Sequence, residues 1–134
     1  MTAAVTVDTS VLLLTAGRSA ATAACAGALR TWQSGAVEMH IAAETVQEFV
    51  VHRTRVSDAE RAIRETRTLV SASVVHALDV EVLDRGLDLM GVGLRGRDAM
   101  IAATALMAGF EEIVSADADF DSIPGLRRVD PRQA

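Results

Sequence analysis

Residues 98–120, DAMIAATALMAGFEEIVSADADF, decide the fold. The first half is made of strong helix formers, with Ile101, Ala105 and Ala108 on one face and Gly109 as a helix stop. The short apolar run EEIVS that follows reads as a buried strand. Directly behind it, SADADF sets Asp117 and Asp119 two residues apart. A solvated turn would be served equally well by Asn, Ser or Gly. Two carboxylates at the end of a buried strand therefore raise the question of which other acids the fold brings to that point.

Outward from this unit the pattern repeats. AAVTVDTS (3–10) opens with a β-branched apolar run ending near Asp8, VEMHIAA (37–43) and SVVHAL (73–78) are further strand candidates, and LRRVD (126–130) is a candidate edge strand. Between them lie helical stretches. SVLLLTAG closes at Gly17, residues 19–34 stop before Gly35, and ETVQEFVVHRT carries Val46, Phe49, Val50 and Arg53 at helical spacing. SDAERAIRETRTLVSA has the spacing of a capping box, Ser57 with Glu60 three residues on. DVEVLDRGLDLMG ends at Gly91, and VGLRGR reads as a loop before the helix that starts at Asp98. Both prolines, Pro124 and Pro131, lie near the C-terminus, which leaves every upstream helix uninterrupted. Short apolar strands alternating with helices predict an α/β fold, a parallel sheet covered on both faces. In such sheets the functional crevice lies beyond the carboxyl ends of the strands. Asp8 and Asp117 are expected to share it.

The 134 residues are expected to form one domain, 1–134, large enough for a core without staples. No apolar run approaches a membrane span and no leader precedes the first strand, so the expected location is the cytoplasm. The single Cys25, in an Ala-rich setting, reads as a small core residue in a reducing compartment. All 13 basic residues are Arg. Without Lys, neither a Walker-type phosphate loop nor a Schiff-base enzyme can be built. The net charge of −5 argues against a polyanionic partner, unless converging acids hold a cation that inverts the local field.

Taken singly, most of the acids have ordinary explanations. Asp98 in a first helical turn complements the helix dipole, Glu48 fits the polar side of its helix, and Asp119 and Asp121 suit a turn before Pro124. Asp8 is different, because a carboxylate directly after an apolar strand is partly buried and must be paired or metal-bound. Taken together the acids form a pattern: strand–Asp–Thr–Ser, helix–Glu, helix-start Asp, strand–Ser–x–Asp–x–Asp–Phe.

This pattern resembles the PIN-domain ribonucleases, most closely the VapC-type toxins of bacterial toxin–antitoxin pairs. The resemblance covers nearly the whole chain. VTVDTSVLL matches the first motif, AAETVQEFVVHR the second, and residues 97–126 the C-terminal signature. The resemblance implies a single PIN domain, a three-layer α/β/α sandwich around a short, mostly parallel sheet. It also implies a metal-dependent endoribonuclease that hydrolyses RNA phosphodiester bonds and inhibits translation or growth. Carried over position by position, the acidic quartet is Asp8, Glu48, Asp98 and Asp117. Asp8, Asp98 and Asp117 are the expected ligands of Mg²⁺ or Mn²⁺, and Glu48 either binds a second metal or orients the attacking water. Asp119, Ser115 and Ser10 would support them, with Ser115 standing where the family usually has Thr and Ser10 where it often has Asn. The implied partners are an RNA substrate, a cognate antitoxin and a second copy of the chain, with no membrane.

Oxygen ligands suit Mg²⁺ or Mn²⁺. Arg95, Arg97 and Arg53 are candidate phosphate contacts at the mouth of the site, against the simpler reading of solvated helix and loop ends. Arg61, Arg64 and Arg67 read as a solvated helix face. His40, His52 and His76 show no ligand spacing and read as structural. With Phe49, Phe110, Phe120 and Trp32 as the only aromatics, a base-stacking platform of the single-strand-binding kind is excluded. VLLLTAG and LDLMGVGL are candidate surfaces for self-association.

Among rival folds, a phosphoacceptor receiver domain needs a Lys that is absent. A haloacid-dehalogenase-type phosphatase needs Asp-x-Asp where this chain has Asp-Thr-Ser. The remaining rival is a catalytically inert PIN-like module that binds protein or RNA. The complete acidic quartet argues against it.

Overall fold

A computed structural model describes residues 3–15, 20–34 and 37–132. Gly17 and Gly35, read as helix stops, lie outside them. The chain runs β1 (Ala3–Thr6), α1 (Thr9–Leu14), α2 (Ala20–Ser34), β2 (Val37–Ala42), α3 (Ala43–Val56), α4 (Ala59–Ser71), β3 (Val74–His76), α5 (Val80–Gly91), α6 (Gly96–Met107), β4 (Glu112–Val114), a 3₁₀ turn (Ala118–Ser122) and β5 (Arg127–Val129). β1, β2 and β3 form a parallel sheet in that order, and β4 pairs parallel with β5. A parallel bridge between Val7 and Val114 joins the two, giving the continuous order β3–β2–β1–β4–β5.

Alternation along the strands feeds two cores. Val7, Met39, Ile41 and Val114 pack with Val11, Leu12, Cys25 and Trp32 on the face covered by α1 and α2. Ala42 and Ile113 point the other way, into a cluster with Val82, Leu89, Ile101, Ala105 and Phe120 beneath α5 and α6. Two cores divided by one sheet make the expected three layers.

Several local expectations are corrected. Asp58 caps α4, its Oδ1 accepting the Arg61 amide at 2.9 Å. Ser57 instead closes α3, its hydroxyl donating to the Arg53 carbonyl at 2.8 Å. The helix α5 does end at Gly91, as expected, but the positive φ of 108° falls two residues on, at Gly93. The helix α6 begins at Gly96, so only residues 92–95 of VGLRGR form the connection. In VLLLTAG, Val11 and Leu12 are buried in the core and unavailable for self-association. In LDLMGVGL, Leu87, Met90 and Val92 are exposed as anticipated.

Candidate active site

Around β1 the chain order reverses: β2 lies on one side and β4, much later in sequence, on the other. The crevice of a parallel sheet opens at such a switch point, beyond the strands' carboxyl ends. Asp8 lies at that end of β1. Its amide donates to the Val114 carbonyl at 3.1 Å, which fixes it between β1 and β4. The side chain is almost wholly buried, 4 % exposed. Burial pushes the carboxyl up to about 6; Ser10 and Ser115 hydroxyls oppose the shift and the Asp117 charge adds to it. Ser10 donates to Asp8 Oδ1 at 2.6 Å and accepts the Ala116 amide at 3.1 Å, tying the two strand ends together.

The SADADF stretch is organised by its own backbone. The Ser115 hydroxyl, fully buried, accepts the Asp117 amide at 2.9 Å, and Asp117 Oδ1 accepts the Asp119 amide at 2.9 Å. Phe120, wholly buried, anchors the 3₁₀ turn in the α5–α6 core. Arg128 on β5 braces it from behind, donating to the Ser115 carbonyl at 3.1 Å and to Asp121 at 2.6 Å. Asp121 is therefore a structural ion-pair partner.

Asp98 arrives from the first turn of α6. Burial raises its pKa, the charges of Asp117, Asp119 and Glu48 raise it further, and Arg95 partly offsets them. Asp98, Asp117 and Asp119 each offer a carboxylate oxygen within 4.8 Å of the other two. Three converging hard oxygen donors, one of them shifted upward by burial and by its acidic neighbours, fit a divalent cation of the Mg²⁺ or Mn²⁺ type. Asp119 thus stands in the trio, while Asp8 lies deeper, beside Asp117.

Glu48 comes from α3, 22 % exposed, accepting the Thr9 hydroxyl at 3.2 Å and pairing with Arg97 at 3.5 Å. Thr9 had no separate signal in the sequence beyond its place in Asp-Thr-Ser. Arg95 and Arg97 are exposed at the rim. Arg53 is not at the rim. Its guanidinium, 14 % exposed, is tied to Glu65 at 2.6 Å and joins α3 to α4, so it is not free for a phosphate. Two of the histidines, distant in sequence, meet in the fold. His40 Nδ1 lies 2.7 Å from His76 Nε2, the rings stack at 5.0 Å, and His40 Nε2 meets Glu38 at 2.6 Å. These three side chains share one sheet face.

Residues 5–126 match the family model described as PIN domain. The chain belongs to the PIN-domain family. Its fold is similar to that of a toxin–antitoxin complex from Klebsiella pneumoniae, at 25 % identity and a TM-score of 0.70 over 97 % of this chain and 99 % of that one. It is also similar to the DNA-bound VapBC of Salmonella typhimurium, at 21 % identity and a TM-score of 0.73 over 98 % and 99 %. A third similar structure is a VapC of Mycobacterium tuberculosis, a Sarcin-Ricin loop cleaving toxin, at 15 % identity and a TM-score of 0.71 over 88 % and 93 %. Comparison with curated protein sequences gives no match. The architecture, like the family model, is that of a PIN domain. Among the described residues no helix is long and apolar enough to cross a membrane.

Proposed function

We propose that this PIN domain is a divalent-metal-dependent endoribonuclease, the toxin of a toxin–antitoxin pair. The observation that carries the reading is the trio of carboxylates within 4.8 Å at the switch point of the sheet. Asp98, Asp117 and Asp119 would hold Mg²⁺ or Mn²⁺, and Asp8 lies beneath them as a further ligand or as a support for Asp117. The ion, when bound, supplies relief of charge at the phosphoryl group and a more acidic water. Thr9 and Arg97 hold the Glu48 carboxylate at the edge of the trio, where it orients the attacking water and accepts its proton. Arg95 and Arg97 are placed to meet the phosphates on either side of the scissile bond. Ser10 and Ser115 position the two strand ends.

The expected partners are a cognate antitoxin that covers the acidic site and a second copy of the chain. Exposed Leu87, Met90 and Val92 at the end of α5 provide apolar surface for association.

The test is incubation of the protein with total cellular RNA in Mg²⁺ or Mn²⁺, with 5′ ends mapped by sequencing and with EDTA and Asp98→Asn as controls. Discrete cuts are expected to vanish in EDTA and to fall at least about a hundredfold in the variant. Cuts that persist in Asp98→Asn would show that the trio does no chemistry.

A further inference from the structure

A pocket of about 260 Å³, which shares the Glu48–Arg97 pair with the acidic crevice, is left unexplained by the hydrolytic reading. We propose that it receives a single nucleobase extruded from the RNA strand, one that carries an exocyclic amino group. The inference rests on the ribonuclease reading and adds to it the feature that selects where the strand is cut.

Position comes first. Glu48 belongs to both the pocket wall and the acidic crevice, and its partner Arg97 directly precedes Asp98. A strand whose phosphate lies at the trio therefore has an adjacent base at the pocket mouth. The apolar part of the lining is Leu13 of α1 and Val51 of α3, the latter 45 % exposed in otherwise charged surroundings. Arg97 is 73 % exposed and spends one nitrogen on Glu48, so its guanidinium plane remains open. Unstacked RNA bases rest on such planes as well as on aromatic rings. Among the described residues no aromatic ring but that of His52 lines the pocket, so Arg97 and the aliphatic Leu13 and Val51 provide the main stacking surfaces.

The rim then sorts the bases by their edges. The Glu44 carboxylate only accepts hydrogen bonds, the Arg55 guanidinium only donates them, and the Gln47 amide does both. Guanine, adenine and cytosine each present amino donors beside ring or carbonyl acceptors and match that mixed rim. Uracil also has a mixed edge, but N3–H is its single donor there, whereas an exocyclic amino group has two N–H bonds to serve Glu44 and the Gln47 carbonyl together. The pocket has room for one planar base and none for a duplex. The strand must be single-stranded at the cut.

The experiment uses the full chain and short single-stranded RNAs. Cleavage of a randomised RNA is mapped for the wild type and for Val51→Trp and Gln47→Ala, both at exposed positions, with folding verified by circular dichroism. The wild type is expected to favour one amino-bearing base at a single position flanking the cut. Both variants should lose that preference and cleave the favoured RNA roughly ten- to a hundredfold more slowly. An RNA with an abasic spacer at that position should be cleaved equally by wild type and Val51→Trp, an equality that a merely structural effect would not produce. A wild type that cuts RNA with no base preference near the cut would overturn the pocket and leave the nuclease standing. So would a Val51→Trp variant that keeps the preference but no longer binds the antitoxin, since the pocket would then belong to the protein partner. A wild type that cuts no RNA would sink the ribonuclease reading itself, and this inference with it.

Discussion

Asp8 shows in one side chain what the site does to stability. In the folded protein it keeps its proton up to about 6, whereas an ordinary carboxyl releases it near 3.8. Between those values the folded state binds more protons than the unfolded one, so stability falls as pH rises through the window and levels off above it. A shift of that size corresponds to about 3 kcal/mol. Asp8→Asn is therefore expected to stabilise the metal-free protein by about 1–3 kcal/mol at pH 8 and by little at pH 4, measured by urea unfolding in EDTA. Equal destabilisation at both pH values would show that burial is not what raises this carboxyl. Asp8 was legible from the sequence because a carboxylate after an apolar strand has few innocent explanations. Arg53 was misread because its partner Glu65 belongs to the next helix. The contact of His40 with His76 spans 36 residues and appears only once β2 and β3 are in register.

At the scale of elements, helices and strands were readable almost throughout, since periodicity and glycine stops do not depend on distant partners. Their ends were less so. Ser57 and Asp58 are both good capping residues, and which one caps depends on how α3 ends, with Ser57 drawn back to Arg53. Gly91 and Gly93 pose the same choice, which backbone geometry resolves in favour of Gly93. Gly91→Ala, with no atom within 4 Å of the added carbon, is expected to stabilise the protein by about 0.5–1 kcal/mol. Gly93→Ala, which also meets no atom, must adopt a φ of 108° and is expected to lose about 1–2 kcal/mol. Thermal melts of the pair would settle the assignment, and a reversed order would place the cap at Gly91 after all. By the same reasoning Asp58→Ala should destabilise by about 1 kcal/mol, more than Ser57→Ala.

At the scale of the whole molecule, the sheet order β3–β2–β1–β4–β5 gathers acids from four distant points of the chain at one end of the strands. The motifs named Asp8, Glu48, Asp98 and Asp117 with Asp119 in support, whereas the oxygens that lie within 4.8 Å of one another belong to Asp98, Asp117 and Asp119. Asp119, though exposed, stands beside Asp98 and Asp117 because the 3₁₀ turn, pinned by Phe120, brings one of its carboxylate oxygens within reach of theirs. Gathering these charges opposes folding in the absence of a cation: Asp98 is raised partly by its acidic neighbours, so the metal-free fold carries their repulsion. A cation that binds only the folded state stabilises it by RT ln(1 + [L]/Kd), about 2.7 kcal/mol at a hundredfold excess over Kd. Mg²⁺ or Mn²⁺ is therefore expected to raise the melting temperature of the wild type by several degrees over an EDTA control. Asp98→Asn should melt at or above the metal-free wild type and respond little to the same ion, because it relieves the repulsion and removes a ligand together. Ca²⁺, another hard oxygen-seeking ion, serves as a comparison that separates binding from catalysis. If Asp98→Asn combined with Asp117→Asn kept the full metal-induced shift, the ion would be binding elsewhere on this acidic protein, and the trio would be a cluster of charges without a cation to hold.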